Sequence, residues 1–303
     1  MPQSTYLLKQ FGQAVAYLPA RLRDKAMETG ESIKLAAEEL RLRVGRQLTI
    51  TYADGEIDIP AEGLITRDEL ASVIEIATGS SVHSAAGSIR NGFITVPGGH
   101  RIGICGTGVI KDGELSYIKN ISSVSIRIAK QIIGASDNVF SYILKEDGIH
   151  NTLILSPPGC GKTTILRDIV RKLSSHEQKH IRVAVADERG ELAAKYKGVP
   201  QFDIGKRTDV LDGVSKAAGI MLLMRAMSPH VIAVDEITAE EDIRAISHAC
   251  NCGVYLIATA HGVNTEEIAG RPLYKRLLDT RIFTLAIELY KETGEFKSRA
   301  VYL

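Results

Sequence analysis

The sequence predicts an α/β protein whose C-terminal part is built on a mostly parallel sheet, preceded by a smaller α+β domain. Two observations indicate this. From about residue 151 onward, short apolar runs alternate with helical patterns, which is typical of parallel strands covered by helices on both faces. Before that point, short strands separated by tight turns indicate antiparallel pairing. The chain has 303 residues, enough for about two domains, and we place them at 1–135 and 136–303.

The N-terminal domain begins with a short helix near Pro19 and then a strand over 38–44. A hairpin follows over 47–53 and 56–59, because Asp54-Gly55 is a strong turn dipeptide. Thr66 and Glu69 have the spacing of a capping box, which predicts the start of a helix with four apolar residues on one face. These are Leu70, Val73, Ile74 and Ala77.

The rest of this domain is predicted to be mainly β-structure within a stretch that begins at Ser88. Four strands are expected, over 93–96, 101–105, 114–118 and 124–128, the first two joined at Pro97-Gly98-Gly99. No catalytic motif lies in this part of the chain. A short polar stretch at 134–138 marks the expected linker.

The residues 151–167, NTLILSPPGCGKTTILR, combine a buried strand, a Gly-rich loop and a helix, which together describe a P-loop. Backbone N–H groups and the helix N-terminus in such a loop bind phosphate. Lys162 is expected to reach the β- and γ-phosphates, and Thr163 to offer its hydroxyl to Mg²⁺. The usual pattern begins with Gly, where this chain has Ser156, which puts the loop geometry in question. The expected nucleotide-binding residues are Ser156, Pro157, Pro158, Gly159, Cys160, Gly161, Lys162, Thr163 and Thr164.

Three further strand patterns, over 181–186, 231–234 and 254–258, are each followed closely by polar residues. Because ligands bind beyond the carboxyl ends of strands in open α/β sheets, these residues are expected to meet near the P-loop. They are Asp187, Glu188 and Glu191, then Asp235 and Glu236, then His261. Segments 283–289 and 299–303, around Thr293-Gly294, are predicted to close the sheet as an antiparallel pair.

Each of these side chains suits a role in phosphoryl transfer. Asp235 has the position of a Walker B carboxylate that holds Mg²⁺, and Asp187 is a second candidate ligand. Glu236 would orient or activate the attacking water, with Glu188 as a further catalytic carboxylate. His261 would hydrogen-bond the γ-phosphate region. ATP and Mg²⁺ are therefore the expected cofactors.

Composition narrows the class of protein. The formal net charge is +1, so nothing global indicates nucleic acid or an anionic membrane as a partner. No run is long and apolar enough to span a bilayer, and the first residues lack the pattern of a signal peptide, so a cytoplasmic location is expected. The four cysteines fit neither a disulfide framework nor a paired zinc motif.

The motifs resemble those of the type II and type IV secretion ATPases, the RecA-like motors of secretion and pilus machines. That family has, in this order, a P-loop, an acidic box similar to 187–191, a Walker B segment similar to 223–236, and a histidine box similar to 258–261. The resemblance implies a RecA-like P-loop NTPase core, with Glu236 as the catalytic glutamate. It also implies a ring, expected to be a hexamer, in which Arg101 and Arg127 of the first domain reach a neighbour's nucleotide.

Segments 92–106, 125–129, 206–213 and 234–242 are similar to a sporulation family within this group, although Thr238 stands where Gly is expected. That similarity implies an ATP-hydrolysing motor subunit in the mother cell of endospore-forming bacteria. It would energise a secretion-like channel between mother cell and forespore, with membrane proteins of the channel complex as partners.

Two other functions stay open at this point. One is a nucleic-acid-dependent RecA-type ATPase, against which the near-neutral charge and the absence of Trp count. The other is an ATP-gated structural subunit with little turnover, to which Ser156 gives some weight. Stimulation by single-stranded DNA would identify the first, and tight binding without hydrolysis the second.

Overall fold

The chain divides into two units, each with a β-sheet of its own. The computed structural model describes residues 3–53, 55–79, 92–111, 113–292 and 295–303. The first unit runs to Gln131 and also includes Ala194–Gln201, and the second comprises Ile132–Ala193 and Phe202–Leu303. Across the described ranges, no helix is both long and apolar enough to cross a membrane.

Within its described residues, the first unit packs four helices with a six-stranded antiparallel sheet. The sheet order is β3-β2-β1-β6-β5-β4. The helices are α1 Gln3–Val15, α2 Ala20–Met27, α3 Glu31–Ala36 and α4 Arg67–Thr78. The strands are β1 Glu39–Arg43, β2 Leu48–Tyr52, β3 Gly55–Ile59, β4 Phe93–Thr95, β5 Arg101–Lys111 and β6 Glu114–Arg127.

Local sequence signals account for much of this unit. The capping box is present as predicted, because the Thr66 hydroxyl accepts from the Glu69 N–H and the Glu69 carboxylate accepts from the Thr66 N–H. Helix α4 buries Leu70, Val73, Ile74 and Ala77, as its apolar periodicity predicts. In β1, Leu40 and Leu42 are buried while their neighbours are partly exposed, so one face of the sheet covers the core.

The strands predicted at 114–118 and 124–128 are in fact one long strand, β6, paired with a β5 that continues to Lys111. The register shifts between Cys105 and Thr107, and Asn120 on β6 has φ +49° at this irregularity. The bulge lets one strand change its twist without ending, which a short-strand pattern does not reveal. Asp54, Ser88 and Thr293-Gly294, named above in predicted turns and strands, lie outside the described residues.

The segment Ala194–Gln201 packs on the first unit although its chain neighbours belong to the second. The Gly98 N–H donates to Gln201 Oε1 at 2.9 Å. A side chain at Gly99, where φ is +82°, would lie 3.0 Å from Ala194 Cβ, so the turn has room only for glycine. Burial, with a smaller contribution from Tyr196, raises the pKa of Tyr17 to about 12. The Pro97–Gly99 turn is thus a docking point for this segment.

His100 follows this turn and is fully buried. Its Nδ1 accepts from the Ala129 N–H at 3.1 Å, so the neutral ring carries its proton on Nε2. Burial lowers the pKa of His100 from 6.5 to about 4. The folded protein therefore holds this imidazole neutral at pH values where an unfolded chain would protonate it.

We expect this histidine to make the protein less stable in mild acid. Between pH 6.5 and 4 the unfolded state binds a proton that the folded state does not, so the free energy of unfolding falls as the pH drops, by about 3 kcal/mol in total. Urea unfolding of the wild type and of His100→Gln, measured across this interval, checks the expectation. The variant should lose less stability on acidification, and parallel curves for the two proteins would contradict it.

The second unit is built on a seven-stranded sheet of order β13-β12-β7-β11-β10-β8-β9. Six neighbouring strands, from β12 to β9, are parallel, and β13 pairs antiparallel with β12. These pairings confirm the predicted α/β class and its closing antiparallel pair. The strands are β7 Thr152–Ser156, β8 Val183–Asp187, β9 Thr208–Asp212, β10 Val231–Val234, β11 Tyr255–His261, β12 Leu285–Glu292 and β13 Glu295–Tyr302.

Helices separate most consecutive parallel strands of this unit, as expected for such connections, except between β8 and β9. They are α5 Asp137–Ile143, α6 Lys162–Ser175, α7 Lys216–Met227, α8 Glu240–Asn251, α9 Thr265–Ala269 and α10 Pro272–Asp279. Strands β7, β8 and β10 are buried along their whole length, which explains their continuous apolar sequences. The edge strand β9 is only half-buried and carries Thr208, Asp209 and Asp212, and the sequence did not predict it.

Candidate active site

The loop between β7 and α6 has the backbone of a phosphate-binding loop. Gly159 and Gly161 have φ of +74° and +83°, a conformation that glycine adopts without strain. Ser156 is the last residue of β7, is fully buried, and pairs in register with His261. Its hydroxyl donates to the Pro157 carbonyl at 2.7 Å. The residue that departs from the usual pattern thus occupies an ordinary strand position and demands no unusual φ.

Lys162 is the first residue of α6 and lies almost wholly inside the unit. Its Nζ donates to the Ser156 carbonyl at 3.1 Å and lies 2.9 Å from His261 Nδ1. Burial lowers the pKa of this lysine, against the attraction of nearby Glu236 and Asp235. Since an ammonium group only donates, His261 Nδ1 is the acceptor and the imidazole proton sits on Nε2. The P-loop and the histidine box are therefore linked by one hydrogen bond.

Thr163 at the P-loop and Asp235 at the end of β10, two of the three expected magnesium ligands, are in direct contact. The Thr163 hydroxyl donates to Asp235 Oδ2 at 2.9 Å, and the Thr259 hydroxyl donates to Asp235 Oδ1 at 2.6 Å. Burial raises the pKa of the Asp235 carboxyl, and the two hydroxyl contacts oppose that rise. A buried carboxylate supported by hydroxyls is a suitable place for a divalent cation to add its charge.

The same site has the donor chemistry that Mg²⁺ requires. Thr163 and Asp235 offer hard oxygen ligands, and Mg²⁺ in nucleotide sites takes one or two such ligands and completes its shell with phosphates and water. In the described part of the chain, no three His, Cys, Asp or Glu side chains are grouped closely enough to hold a metal ion unaided. The residues present thus fit a metal that arrives with a nucleotide.

The position of Glu236 is fixed by its backbone conformation and by side-chain contacts to both of its carboxylate oxygens. Its φ is +55°, uncommon for a residue other than glycine, and its N–H donates to the Thr259 hydroxyl at 2.7 Å. Oε1 lies 2.8 Å from His261 Nε2, and Oε2 lies 3.2 Å from Arg189 Nη1. Thr259 was not among the predicted site residues, although it lies in the histidine-box segment.

The geometry does not support the expected role of Asp187 as a metal ligand. Its Oδ1 accepts from the Glu191 and Leu192 N–H groups at 2.8 and 3.0 Å, and its Oδ2 accepts from the Ala193 N–H at 2.9 Å. The residue is 1% exposed, and burial raises the pKa of its carboxyl despite these bonds. Both oxygens are engaged by backbone, so Asp187 organises the loop that follows β8.

Glu188 is likewise engaged by a side chain that the sequence analysis overlooked. Its Oε2 accepts from Lys216 Nζ at 2.7 Å, and this hydrogen bond lowers the pKa of Glu188. Lys216 is buried at the start of α7, where a cation is unfavourable unless paired. The Glu188 carboxylate, expected to take part in catalysis, thus forms an ion pair with Lys216 in this structure. Both residues still line a small cleft with Asp187, Arg189, Glu191, Asp235 and Glu236.

Arg101 and Arg127, on β5 and β6 of the first unit, are direct cross-strand neighbours. Both positions belong to the sheet face that is turned away from the buried core. The Arg101 guanidinium lies 4.8 Å from the centre of the Phe93 ring. Arg41 and Arg43 of β1 lie on this face too and line a groove of about 300 Å³. This sheet face thus carries four arginines, together with Glu39 of β1, which lies opposite Arg127 and pairs with Arg41 at 2.6 Å.

Comparison with known proteins places these features in a family. The family model described as "Sporulation stage III, protein AA" matches residues 10–302. The chain is 34% identical over 288 residues to stage III sporulation protein AA of Bacillus subtilis (strain 168), covering 94% of this chain and 92% of that protein.

Solved structures show the same fold at much lower sequence identity. The ATPase DotB of Legionella pneumophila superposes with a TM-score of 0.61 at 18% identity, covering 94% of this chain and 82% of that one. The pilus retraction motor PilT, solved with ADP, gives 0.59 at 15% identity, covering 90% and 81%. The fold is that of RecA-like secretion and pilus ATPases with an N-terminal domain, as the motifs predicted. Because the family model spans nearly the whole chain, this protein belongs to the stage III sporulation protein AA family.

Proposed function

We propose that this protein is an ATP-hydrolysing motor subunit of a secretion-like channel complex that acts between mother cell and forespore. The observation that carries the proposal is the chain of contacts Lys162–His261–Glu236, beside the Thr163–Asp235 pair. A phosphate-binding lysine, a metal-supporting hydroxyl and carboxylate, and a fixed glutamate meet at the carboxyl ends of adjacent parallel strands.

In the proposed reaction, Lys162 and the loop N–H groups bind the phosphates of ATP, and Thr163 with Asp235 would hold Mg²⁺. The metal would neutralise charge on the β- and γ-phosphates. Glu236 orients a water molecule and accepts its proton as the water oxygen bonds to the γ-phosphorus. The bond from that phosphorus to the β–γ bridging oxygen breaks, which gives ADP and phosphate. His261 contacts both Lys162 and Glu236, so it is placed to relate phosphate binding to the position of the glutamate.

We also propose that the site is completed in a ring, with a hexamer as the expected size. Arg101, which is partly exposed, and Arg127, which is exposed, form a cross-strand pair on the arginine-bearing sheet face, which suits contact with a triphosphate of a neighbouring subunit. The fold shared with DotB and PilT supports this arrangement. The family supports a location in the mother-cell cytoplasm, with membrane proteins of the sporulation channel complex as partners.

The steady-state ATPase rate per subunit, measured against protein concentration with Mg²⁺, tests the proposal. A rate that rises and saturates is expected, because assembly supplies the arginines. Absence of hydrolysis at every concentration, with and without membrane partners, would overturn the motor function and leave the gated structural subunit. Dependence of the rate on single-stranded DNA would instead favour a nucleic-acid-driven ATPase.

Arg127→Ala is expected to lower the saturated rate at least tenfold, since an arginine supplied to a neighbour's phosphates stabilises transition-state charge. Mixing this variant with Glu236→Gln subunits tests the direction of the contact. Glu236→Gln subunits still offer Arg127 to an intact neighbouring site, so the mixture should recover activity that neither variant has alone. Arg46→Ala, at an exposed position in the same unit, is the matched control. No recovery on mixing would contradict a role between subunits.

A further inference from the structure

Arg189 has no role in the reaction derived above, yet its guanidinium contacts the glutamate on which that reaction depends. We propose, on the basis of the proposed function, that Arg189 is a positioning residue for Glu236 of the same subunit. Its Nη1 lies 3.2 Å from Glu236 Oε2, while His261 Nε2 lies 2.8 Å from the other carboxylate oxygen. The two contacts hold the carboxylate from both sides and fix the plane in which it meets a water molecule.

The loop that carries Arg189 is braced from within. The Gly190 N–H donates to the Asp187 carbonyl at 2.9 Å, and Gly190 has φ +63°, which closes a tight turn directly after β8. The Asp187 carboxylate then accepts three successive N–H groups beyond the turn, at 2.8 to 3.0 Å. A buried carboxylate bound in this way keeps the loop in one conformation, because each N–H that it releases would be left unsatisfied.

A second brace comes from helix α6. Arg167 Nε donates to the Leu192 carbonyl at 2.7 Å, and its Nη2 donates to the Glu191 carbonyl at 2.6 Å. The Arg167 guanidinium lies 4.0 Å from the centre of the Phe202 ring, a cation–π contact that adds to its support. Since α6 begins at the P-loop lysine, the loop and the phosphate-binding segment are fixed to the same helix. Arg189 therefore starts from a rigid base.

The Arg189–Glu236 pair is not explained by a contribution to the stability of the fold. The Arg189 side chain is 64% exposed, and an ion pair so exposed to water adds little to folding stability. Glu236, in contrast, is mostly covered and has an uncommon φ, so its direction is set by the groups around it. A general base acts only when it lies within hydrogen-bond reach of the proton that it takes. An arginine that fixes its direction acts on turnover and not on ATP binding.

The test is steady-state kinetics of Arg189→Gln and Arg189→Lys. At metal sites, hydrogen-bond partners of the ligating residues typically contribute about 10- to 100-fold to activity, and we expect the same range for a partner of a catalytic carboxylate. We expect Arg189→Gln to lower kcat by roughly this factor with KM for ATP changed less than about twofold, and Arg189→Lys to recover part of the loss. Arg244→Gln, which removes an exposed arginine–glutamate pair on α8, is the matched control. A wild-type kcat in Arg189→Gln, or a loss confined to KM, overturns the assignment.

Two combinations identify the route of the effect. In Arg189→Gln/Glu236→Gln the rate should equal that of Glu236→Gln alone, because the arginine acts through the glutamate. A further drop in the double variant would mean that Arg189 acts elsewhere. Mixing Arg189→Gln subunits with Glu236→Gln subunits should restore nothing beyond the sum of the two, in contrast to Arg127→Ala. Recovery on mixing would place Arg189 at a neighbour's site and refute action within one subunit.

Binding of Mg²⁺, ADP and aluminium fluoride, a mimic of the transferring phosphoryl group, separates this proposal from the motor function. Arg189→Gln is expected to weaken that complex at least fivefold while ADP alone binds as in the wild type. If the wild type binds the complex but never hydrolyses ATP, the proposed motor function is wrong, while the role of Arg189 in placing Glu236 is not contradicted. Equal affinity of the wild type and Arg189→Gln for the complex would defeat the role of Arg189 only.

Discussion

Glu236→Gln is expected to abolish ATP hydrolysis while nucleotide binding persists. The amide keeps the shape of the carboxylate but cannot take a proton from water, so the rate should fall by roughly 10³-fold. Lys162, Thr163 and Asp235 are untouched, and removal of one negative charge beside a triphosphate favours binding, so ATP affinity should be unchanged or higher. Steady-state rates and equilibrium titration with a fluorescent ATP analogue measure the two quantities.

The matched control for this variant is Glu241→Gln, an exposed glutamate that pairs with Arg244 on α8. Its rate should equal that of the wild type. If Glu236→Gln hydrolyses ATP normally, the water is activated by another group and the assignment of Glu236 is wrong. If both hydrolysis and binding disappear, the substitution has disturbed the strand end itself, which the backbone contact with Thr259 would explain.

Lys162→Ala is expected to remove nucleotide binding. Truncation of one partner in a buried, hydrogen-bonded charge pair costs about 2 to 5 kcal/mol, so ATP affinity should fall by roughly 10³-fold. Calorimetric titration of Mg²⁺–ATP measures this directly. The loss of ATP-induced thermal stabilisation provides a second reading.

Lys275→Ala, which changes an exposed lysine on α10, serves as the control and should bind ATP like the wild type. The lysine variant also tests the contact with the histidine box, because Lys162 Nζ lies 2.9 Å from His261 Nδ1. Wild-type affinity in Lys162→Ala would mean that nucleotide binds elsewhere in the protein. The motor function would then lose its main support.

The features that the sequence predicted correctly are those that depend on local rules. The capping box at Thr66 and Glu69, the continuous apolar strands and the Gly-Lys-Thr loop each follow from a few neighbouring residues. The contact between Thr163 and Asp235 followed from one further rule, that parallel strands bring their carboxyl ends to one edge. These rules can be applied without knowing the three-dimensional path of any loop.

The contacts of Asp187 and Glu188, which the sequence did not predict, depend on the path of a loop in space. Whether Asp187 faces a metal or its own loop depends on where three later N–H groups point, and no residue spacing states this. Glu188 meets Lys216, which is distant in sequence and gives no signal in the chain beyond a lysine at the start of a helix. The polar, half-buried β9 was missed because an edge strand lacks the apolar run that identifies its neighbours.

Because Ala194–Gln201 belongs to the first unit, neither unit can be produced alone as one continuous segment of the chain. The backbone passes from one unit to the other three times, after Gln131, after Ala193 and after Gln201. A single cut after Gln131 would therefore leave eight residues of the first unit's packing attached to the second. Gly98 and Tyr17 would lose their contacts with this segment. The excised C-terminal piece would carry an eight-residue segment without the unit on which it packs. Each unit has its own sheet, but no single cut in the chain separates one complete unit from the other.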